Sequence, residues 1–382
     1  MDKKSVSKRN NFELVICIII LIAFGMIMIY SASSYTAQIS FGDPGYFVKS
    51  QAKNALIGIV LMIILALVIP YEFWCNISEI GYFGSLALAV LTLVVGREIN
   101  GTKRWLAIGS ISFQPSEVVK AVLIVYLAVI IVQSGKKINT FKGLAFVWLW
   151  VIPPAVLVVL TSLTSGIVIV LIAAAMTFVA TDIKWPYAVI SAFAVLFLIF
   201  RKFFANLIVS LGFLKPYQLN RLVVWIEPEA HPLDGGYQVL QGLYAIGSGG
   251  VFGKGLGQSI QKLGFIPEAQ NDMIFTIICE ELGFFGALFL IGLYIFIVIK
   301  IAAIANSVKD RKGKLICICV AAHIAIQAVL NIAVACNVIP NTGVTLPFLS
   351  CGGTSIIFLL CEIGIVLNIS RSIVSEPAKE RP

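Results

Sequence analysis

Charge is scarce in this sequence: only 12% of its 382 residues are Asp, Glu, Lys or Arg, and histidine occurs twice. Soluble domains carry about 25% charged residues, so a soluble enzyme with a peripheral anchor is excluded. Metal-ligand spacing is also lacking. The eight cysteines, at 17, 75, 279, 317, 319, 336, 351 and 361, form no CxxC pair and sit mostly inside apolar runs, where they read as small buried hydrophobes. No internal repeat is evident, which counts against the inverted-repeat plan of many transporters.

What the sequence has is apolar length. Hydrophobic residues make up 59% of it and the mean hydropathy is +0.98. A spanning helix needs roughly 20 mostly apolar residues, so there is material for about ten. The runs place spans near 12–31, 54–71, 79–95, 116–133, 143–162, 165–182, 187–206, 273–299, 315–337 and 353–370. This predicts an all-α integral membrane protein, a single polytopic domain over 1–382. Lys3, Lys4, Lys8 and Arg9 precede an apolar run from Phe12 to Tyr30. That run is longer than the apolar core of a signal peptide, about 7–15 residues, and reads as a retained first span.

Loop charge orients the spans. With both termini cytoplasmic, the inside segments hold 16 of the 28 basic residues, while the short outward loops hold Lys49 and Lys53, and Arg97, Lys103 and Arg104. This obeys the positive-inside rule. Topology thereby absorbs the net charge of +9, and nothing in the chain calls for nucleic acid. One connection is long, 207–271. It is predicted to face outside as an extracellular loop between helices 7 and 8, and long connections in compact folds are usually functional or disordered.

That connection is dense in glycine from Gly247 to Gly257. Gly253-Lys254 invites a phosphate-loop reading, but Ser248 and Gly255 stand where the pattern needs Gly and Ser or Thr. The glycines fit two roles equally, a close backbone approach to an anion or tight turns in a re-entrant loop.

Ionisable groups within apolar spans are costly and point to function. Glu117 opens the fourth span in Gln114-Pro115-Ser116-Glu117, and Lys120 follows by three residues on the same helical face. The pair is either a self-neutralising contact between helices or a cation for an anionic substrate with an acid that orients it. Arg104 and Trp105 stand in an outward loop. An arginine suits a bidentate phosphate grip, and a tryptophan suits the interfacial belt. Asn271-Asp272 precedes the eighth span, where a side chain caps free helix amides. Placed there, an ionised carboxylate is favoured, which suits a divalent metal or an activated hydroxyl but makes a weak base. His323, Gln327 and Asn331 recur every four residues as a polar stripe on the ninth span, and Glu280, Glu281 and Glu362 need partners, with Lys120 and His323 as candidates. Pro340 to Gly353 reads as an irregular outward turn.

Taken together, these motifs resemble the SEDS family (shape, elongation, division and sporulation), which includes FtsW, RodA and SpoVE. The matching segments are Tyr30-Ser31-Ala32-Ser33, Asn100 to Trp105, Gln114 to Glu117, Gly236-Tyr237-Gln238, Ala245 to Gly250, Ile266-Pro267-Glu268 with Asn271 to Phe275, and Leu346 to Gly353. They run in order from the first span to the last, and their wording is closer to the FtsW and SpoVE branch. The resemblance implies a ten-span peptidoglycan glycosyltransferase that polymerises lipid II, carried on undecaprenyl pyrophosphate, at the outer face of the bacterial cytoplasmic membrane. It also implies a class B penicillin-binding protein as partner.

Carried over residue by residue, the resemblance makes Asp272 the essential aspartate, as base or metal ligand. The family's membrane-embedded acid and base pair matches Glu117 and Lys120, and its surface loop matches Arg104 and Trp105. Because the leaving group is a pyrophosphate, the chemistry calls for cations, and Arg104 and Lys120, helped by Lys254 or Lys262, are expected to hold it, while Ser350, Gly352 and Gly353 stand in a turn whose glycines suggest close backbone approach to substrate. The implied cofactor is a divalent cation, Mg2+ or Mn2+. One departure stands at Ser162-Leu163-Thr164-Ser165-Gly166, where many members carry an acid or amide first; no such contact is expected at Ser162. A lipid II flippase and a non-catalytic scaffold for a penicillin-binding protein are the alternatives.

Overall fold

Runs of Leu, Ile, Val, Ala and Phe leave backbone N–H and C=O groups no water to bond in a bilayer, so each run must satisfy them within a helix. The computed structural model describes residues 3–99, 102–108, 111–210, 216–231 and 236–375. Its helices are α1 (Lys3–Phe41), α2 (Tyr46–Leu67), α3 (Tyr71–Asn76), α4 (Ser78–Val95), α5 (Pro115–Ser134), α6 (Phe141–Thr161), α7 (Leu163–Ala180), α8 (Trp185–Ile199), α9 (Arg201–Ser210), α10 (Pro216–Ile226), α11 (Gly236–Gly249), α12 (Ile274–Ser307), α13 (Arg311–Ala335) and α14 (Ser355–Ser375). Among the described residues, nine helices are long and apolar enough to cross a membrane. The chain is a multi-pass membrane protein.

The seventh expected span is the one that departs from its reading. It breaks at Phe200 into α8 and α9, and α8, with 15 residues, is about 22 Å long against a hydrocarbon core of about 30 Å. The break brings Arg201 to the far end of α13, where its guanidinium donates to the Asn337 carbonyl and lies 5.6 Å from the Trp225 ring. A cation in mid-span is better satisfied that way than in lipid.

The 207–271 connection is also more ordered than a loop. It carries α10, a short 3-10 turn at Pro228–Ala230 and α11 before it becomes irregular. The predicted loop before the fourth span is a three-stranded antiparallel sheet of β1 (Arg97–Ile99), β2 (Thr102–Ile108) and β3 (Ile111–Phe113). Asn100 and Gly101 of that motif lie outside the described residues.

At the centre stand α5 and α13. Their most apolar windows are 56% and 61% buried, against 28% for α4, and α13 packs on α5, α7, α11, α12 and α14. Outside, α12 leaves Phe284, Phe285, Leu288, Ile295 and Ile299 exposed, as expected of a face that meets lipid tails as apolar as itself.

The glycine-rich segment resolves in favour of packing. α12 is broken at Gly283, which has φ 67°, and the broken turn pairs with the segment instead of with itself. Lys254 and Gly255 amides donate to the Glu280 and Glu281 carbonyls, each at 2.9 Å, while Phe284 and Phe285 amides donate to Gly250 and Val251 carbonyls. A Cβ at Gly249, Gly253 or Gly283 would collide with the facing backbone. These amides are committed to α12 and do not cradle an anion.

Candidate functional site

Most of the sequence-predicted residues converge on one irregular segment, 337–354, between α13 and α14. Asn331, near the end of α13, holds the frame: its Nδ2 donates to the Asp272 carbonyl and to the Val344 carbonyl, both at 2.7 Å. A Cβ on Gly343 would stand 3.7 Å from Asp272 Oδ2, so the segment passes directly over the carboxylate. Further along, the Cys351 amide donates to the Gln270 carbonyl at 2.9 Å, and the Gln51 side chain holds the Ser350 carbonyl at 3.0 Å. The non-glycine residues with positive φ among those described are Glu268, Asn337 and Phe348, all in the two loops that frame Asp272. Strain of this kind collects at functional sites.

Asp272 differs from its sequence reading. The residue that precedes α12 is Met273, with no side-chain cap, and Asp272 does not cap the helix. Its Oδ1 is sealed from solvent without a partner among the described residues. Burial, with the charge of Glu268 adding to it, pushes the carboxyl up to about 6. Desolvation here outweighs the helix-terminus effect that predicted a low value. A carboxylate poised near the working pH is a better general base than an ordinary one.

Glu117 and Lys120 form an ion pair of 2.8 Å with side chains 6% and 1% exposed. Ser355, at the start of α14, donates to Glu117 Oε2 at 3.2 Å, and the Gln114 amide donates to the Thr354 hydroxyl at 3.3 Å. The pair therefore ties α5 to the end of the 337–354 segment. Across β2, the strand period of two sends neighbours to opposite faces. Trp105 reaches Gly353, where a Cβ would stand 3.5 Å from the indole, and Arg104 Nε donates to the Thr161 carbonyl at 3.2 Å. The same segment reaches that α6–α7 junction through Thr164, whose hydroxyl donates to the Thr342 carbonyl at 2.6 Å. Ser162 caps α7 by accepting from the Ser165 amide, a role any short polar side chain fills.

Three expected contacts are corrected. Lys254 pairs with Glu280 at 2.7 Å, and Lys262, 8% exposed, pairs with Glu281 at 2.8 Å. Both sit about two helical turns along α12 from Asp272, already neutralised, and so are not free cations for a pyrophosphate. They are also the partners of Glu280 and Glu281 in place of Lys120, whereas Glu362 pairs with His323 as expected, at 2.8 Å. Ser350 is buried, and its hydroxyl accepts from the Leu346 amide at 2.8 Å, so it closes a turn. Among the described residues no group of three or more His, Cys, Asp or Glu side chains could hold a metal ion.

The Lys262 pair is a structural fastening. Ser31 also donates to Glu281, at 2.6 and 2.8 Å. Removing one partner of a buried pair leaves an uncompensated charge and costs about 3–5 kcal/mol. Lys262→Met is expected to lower the melting temperature in detergent sharply, and Lys262→Met with Glu281→Gln to restore most of it.

Sequence reasoning passed over Arg221. On α10, it donates to the Asn341 carbonyl at 2.9 Å, and its charge acts on Asp272. The available signal was the one used for Arg104, an outward cation that runs against the topology bias. Beside the start of the segment lies a cavity of about 310 Å³ lined by Arg201, Leu243, Cys336, Asn337 and Val338.

The family model described as Cell cycle protein, FTSW_RODA_SPOVE, matches residues 12–374. The chain belongs to the FtsW/RodA/SpoVE family. Stage V sporulation protein E of Bacillus subtilis (strain 168) is 37% identical over 362 residues, covering 94% of this chain and 96% of the relative. The probable peptidoglycan glycosyltransferase FtsW of Coxiella burnetii (strain RSA 493 / Nine Mile phase I) is 35% identical over 378 residues, covering 97% and 99%. Among solved structures, a chain from a peptidoglycan synthase complex described for its structural coordination of polymerization and crosslinking superposes with a TM-score of 0.76. It is 28% identical and covers 96% of this chain and 98% of its own length. Membership places the Asp272 carboxylate and the segment above it in a family several of whose members are named probable peptidoglycan glycosyltransferase.

Proposed function

We propose that this peptidoglycan glycosyltransferase polymerises lipid II at the outer face of the cytoplasmic membrane, with both termini in the cytoplasm, alongside a class B penicillin-binding protein. The observation that carries this reading is the Asp272 carboxylate, half-buried with its Oδ1 out of solvent contact and pushed up to about 6, beneath a strained segment that Trp105 and Arg221 also meet, with Glu117 fastened just past its end by Ser355.

The chemistry follows from these groups. The acceptor sugar hydroxyl gives its proton to Asp272 as it attacks the anomeric carbon, and the bond to the pyrophosphate oxygen breaks with its electron pair going to the leaving group. Arg104 and Arg221 are the cations placed to meet that charge, since stabilising charge where it develops is the larger share of such catalysis. Lys120 joins them when substrate parts the contact between α5 and α14. Mg2+ or Mn2+ would supply further positive charge. With one or two carboxylates nearby, such an ion is best held largely by substrate phosphate oxygens, leaving Asp272 free to act as base. The isoprenoid tails lie along apolar faces between helices, which explains why the site is built in a bilayer.

The test is strand formation from purified lipid II by detergent-solubilised protein with Mg2+ or Mn2+, with and without a co-expressed penicillin-binding partner. Strands from wild-type protein are expected. Folded protein that makes none in either condition, yet moves lipid II across vesicles, would replace this reading with transport.

A further inference from the structure

The cavity beside the start of the 337–354 segment has no part in the chemistry above. Three parts of the chain line it: Arg201 at the head of α9, Leu243 on α11, and Cys336, Asn337 and Val338 where α13 ends. It lies at the same end of the bundle as Asp272, since Asn331 on the last turns of α13 donates to the Asp272 carbonyl.

Three costly features coincide at this corner. The seventh span breaks at Phe200, immediately before Arg201. Asn337 holds φ at 53°, a conformation uncommon for a residue other than glycine. Arg201 has no carboxylate partner among the described residues, whereas its neighbour Lys202 pairs with Glu227 at 3.3 Å. Strained backbone gathers at ligand sites, and a cation left unneutralised among apolar spans marks a substrate path.

The corner also holds the guanidinium in one pose. Asn337 offers its carbonyl to two donors, Arg201 Nη1 at 3.3 Å and Trp225 Nε1 at 3.2 Å, and its side chain donates back to the Trp225 carbonyl at 3.4 Å. The buried Trp225 ring backs the guanidinium at 5.6 Å. A guanidinium carries five N–H donors in a rigid fork. Fixed through Nη1, it keeps donors for a second group, and the fork matches phosphate oxygens two at a time. Leu243 and Val338 give the same cavity an apolar side, which accepts the first carbons of a lipid chain.

We propose that the Arg201 cavity is a second pyrophosphate subsite, which holds the lipid-linked pyrophosphate that stays attached during transfer. This rests on the polymerase reading. Joining two lipid-linked sugars brings two pyrophosphates to the enzyme. One leaves from the carbon under attack, beside Asp272. The other remains a disaccharide away, on the molecule whose hydroxyl attacks. Two anions at different distances from one carboxylate need two cation sites, and α10 provides the spacing. Arg221 and Trp225 lie four residues apart on it, about 6 Å along the axis. Arg221 meets the segment at Asn341, and its charge acts on Asp272. Arg201 and Trp225 meet it one turn of α10 away, at Asn337. After each transfer the retained pyrophosphate belongs to the lengthened strand, and moving from Arg201 toward Arg104 and Arg221 readies it to leave in the next.

Cys336 reports on the cavity without any activity. It lines the cavity and is exposed, whereas Cys17, Cys75, Cys279, Cys317 and Cys319 are buried. Full-length protein in phosphatidylcholine nanodiscs is treated with N-ethylmaleimide, and the alkylation rate at Cys336 is read by peptide mass spectrometry. Undecaprenyl pyrophosphate is expected to slow that rate severalfold. Arg201→Gln keeps a donor for the Asn337 carbonyl, and Leu243→Trp fills the cavity from α11; each should remove the protection. With lipid II, Arg201→Gln should raise KM about tenfold or more, the worth of one charge-assisted hydrogen bond, with a smaller change in kcat. A purely structural role for Arg201 would lower the folded yield and leave Cys336 protected in the protein that folds, which overturns the subsite. A wild-type thiol that undecaprenyl pyrophosphate leaves unprotected overturns it too, even if strands form. Phosphatidylglycerol that protects Cys336 equally well assigns the cavity to lipid headgroups and has the same result. Protection by undecaprenyl pyrophosphate in a wild-type protein that makes no strands upholds the cavity as a lipid pyrophosphate site, and only the polymerase reading falls.

Discussion

Asp272→Asn is expected to abolish strand formation while making the folded protein more stable at neutral pH. The two effects have one cause. Burial, reinforced by Glu268, pushes the Asp272 carboxyl up to about 6, above its unfolded value of about 3.9, so the folded chain binds this proton more tightly than the unfolded chain does. Stability from the protonated form is full at low pH. As pH rises from the unfolded value toward 6, the unfolded chain ionises first, and stability falls through that window to a lower plateau above it.

Asparagine has the same shape and cannot ionise, so the variant does not follow that fall. Melting curves at pH 4 and pH 7.5 should show a gain for the variant only at the higher value. Activity moves the other way. Wild-type strand formation should rise with pH, with a midpoint near 6, as the base form accumulates. The variant should lose about 10²–10⁴ of the rate, the usual worth of a positioned base. A variant that polymerises normally, or a wild-type rate flat from pH 5 to 8, would remove Asp272 from the chemistry.

Lys120→Met is expected to give the second large effect, on stability and activity together, and Glu117→Gln on the same background separates them. Lys120 and Glu117 are almost fully enclosed, and the remaining partner of Glu117 is Ser355 at 3.2 Å. Losing the ammonium leaves a buried carboxylate with one neutral hydroxyl, which costs about 3–5 kcal/mol. Neutralising Glu117 as well removes the uncompensated charge, so the double variant should melt near the wild type. If the pair only ties α5 to α14, strand formation returns with stability. If Lys120 meets the leaving pyrophosphate, the refolded double variant stays about 10²–10³ slower, the loss expected from removing one oxyanion-stabilising group. Rates and melting temperatures of the wild type and the two variants decide between these outcomes.

The long helices were legible because their cause is local. A run such as Phe12 to Tyr30 or Pro115 to Ser134 has no other way to satisfy its backbone in a bilayer, and loop charge follows from the same solvent. Where the cause is non-local, the reading went astray. Lys254 was a candidate pyrophosphate cation because the leaving group calls for positive charge in the outward connection, and only the fold shows Glu280 already there at 2.7 Å. Ser350 looked available until the Leu346 amide claimed its hydroxyl. The seventh span was drawn as one helix because apolarity alone cannot register that Arg201 has a carbonyl waiting at Asn337.

Asp272 shows the division most clearly. Its sequence position, two residues before a long apolar helix, set out both candidate roles, cap and reactive carboxylate. Its charge state depends on desolvation by the segment around Gly343, which is 71 residues away in the chain. The sequence alone determined a polytopic membrane protein of the SEDS type, its spans apart from the seventh and most of the residues able to do chemistry, because each of those rests on composition, period and motif within a short stretch. Only the tertiary structure decided which of those residues are spent on holding the fold and which are left poised. Burial and pairing are properties of neighbours brought together from distant parts of the chain.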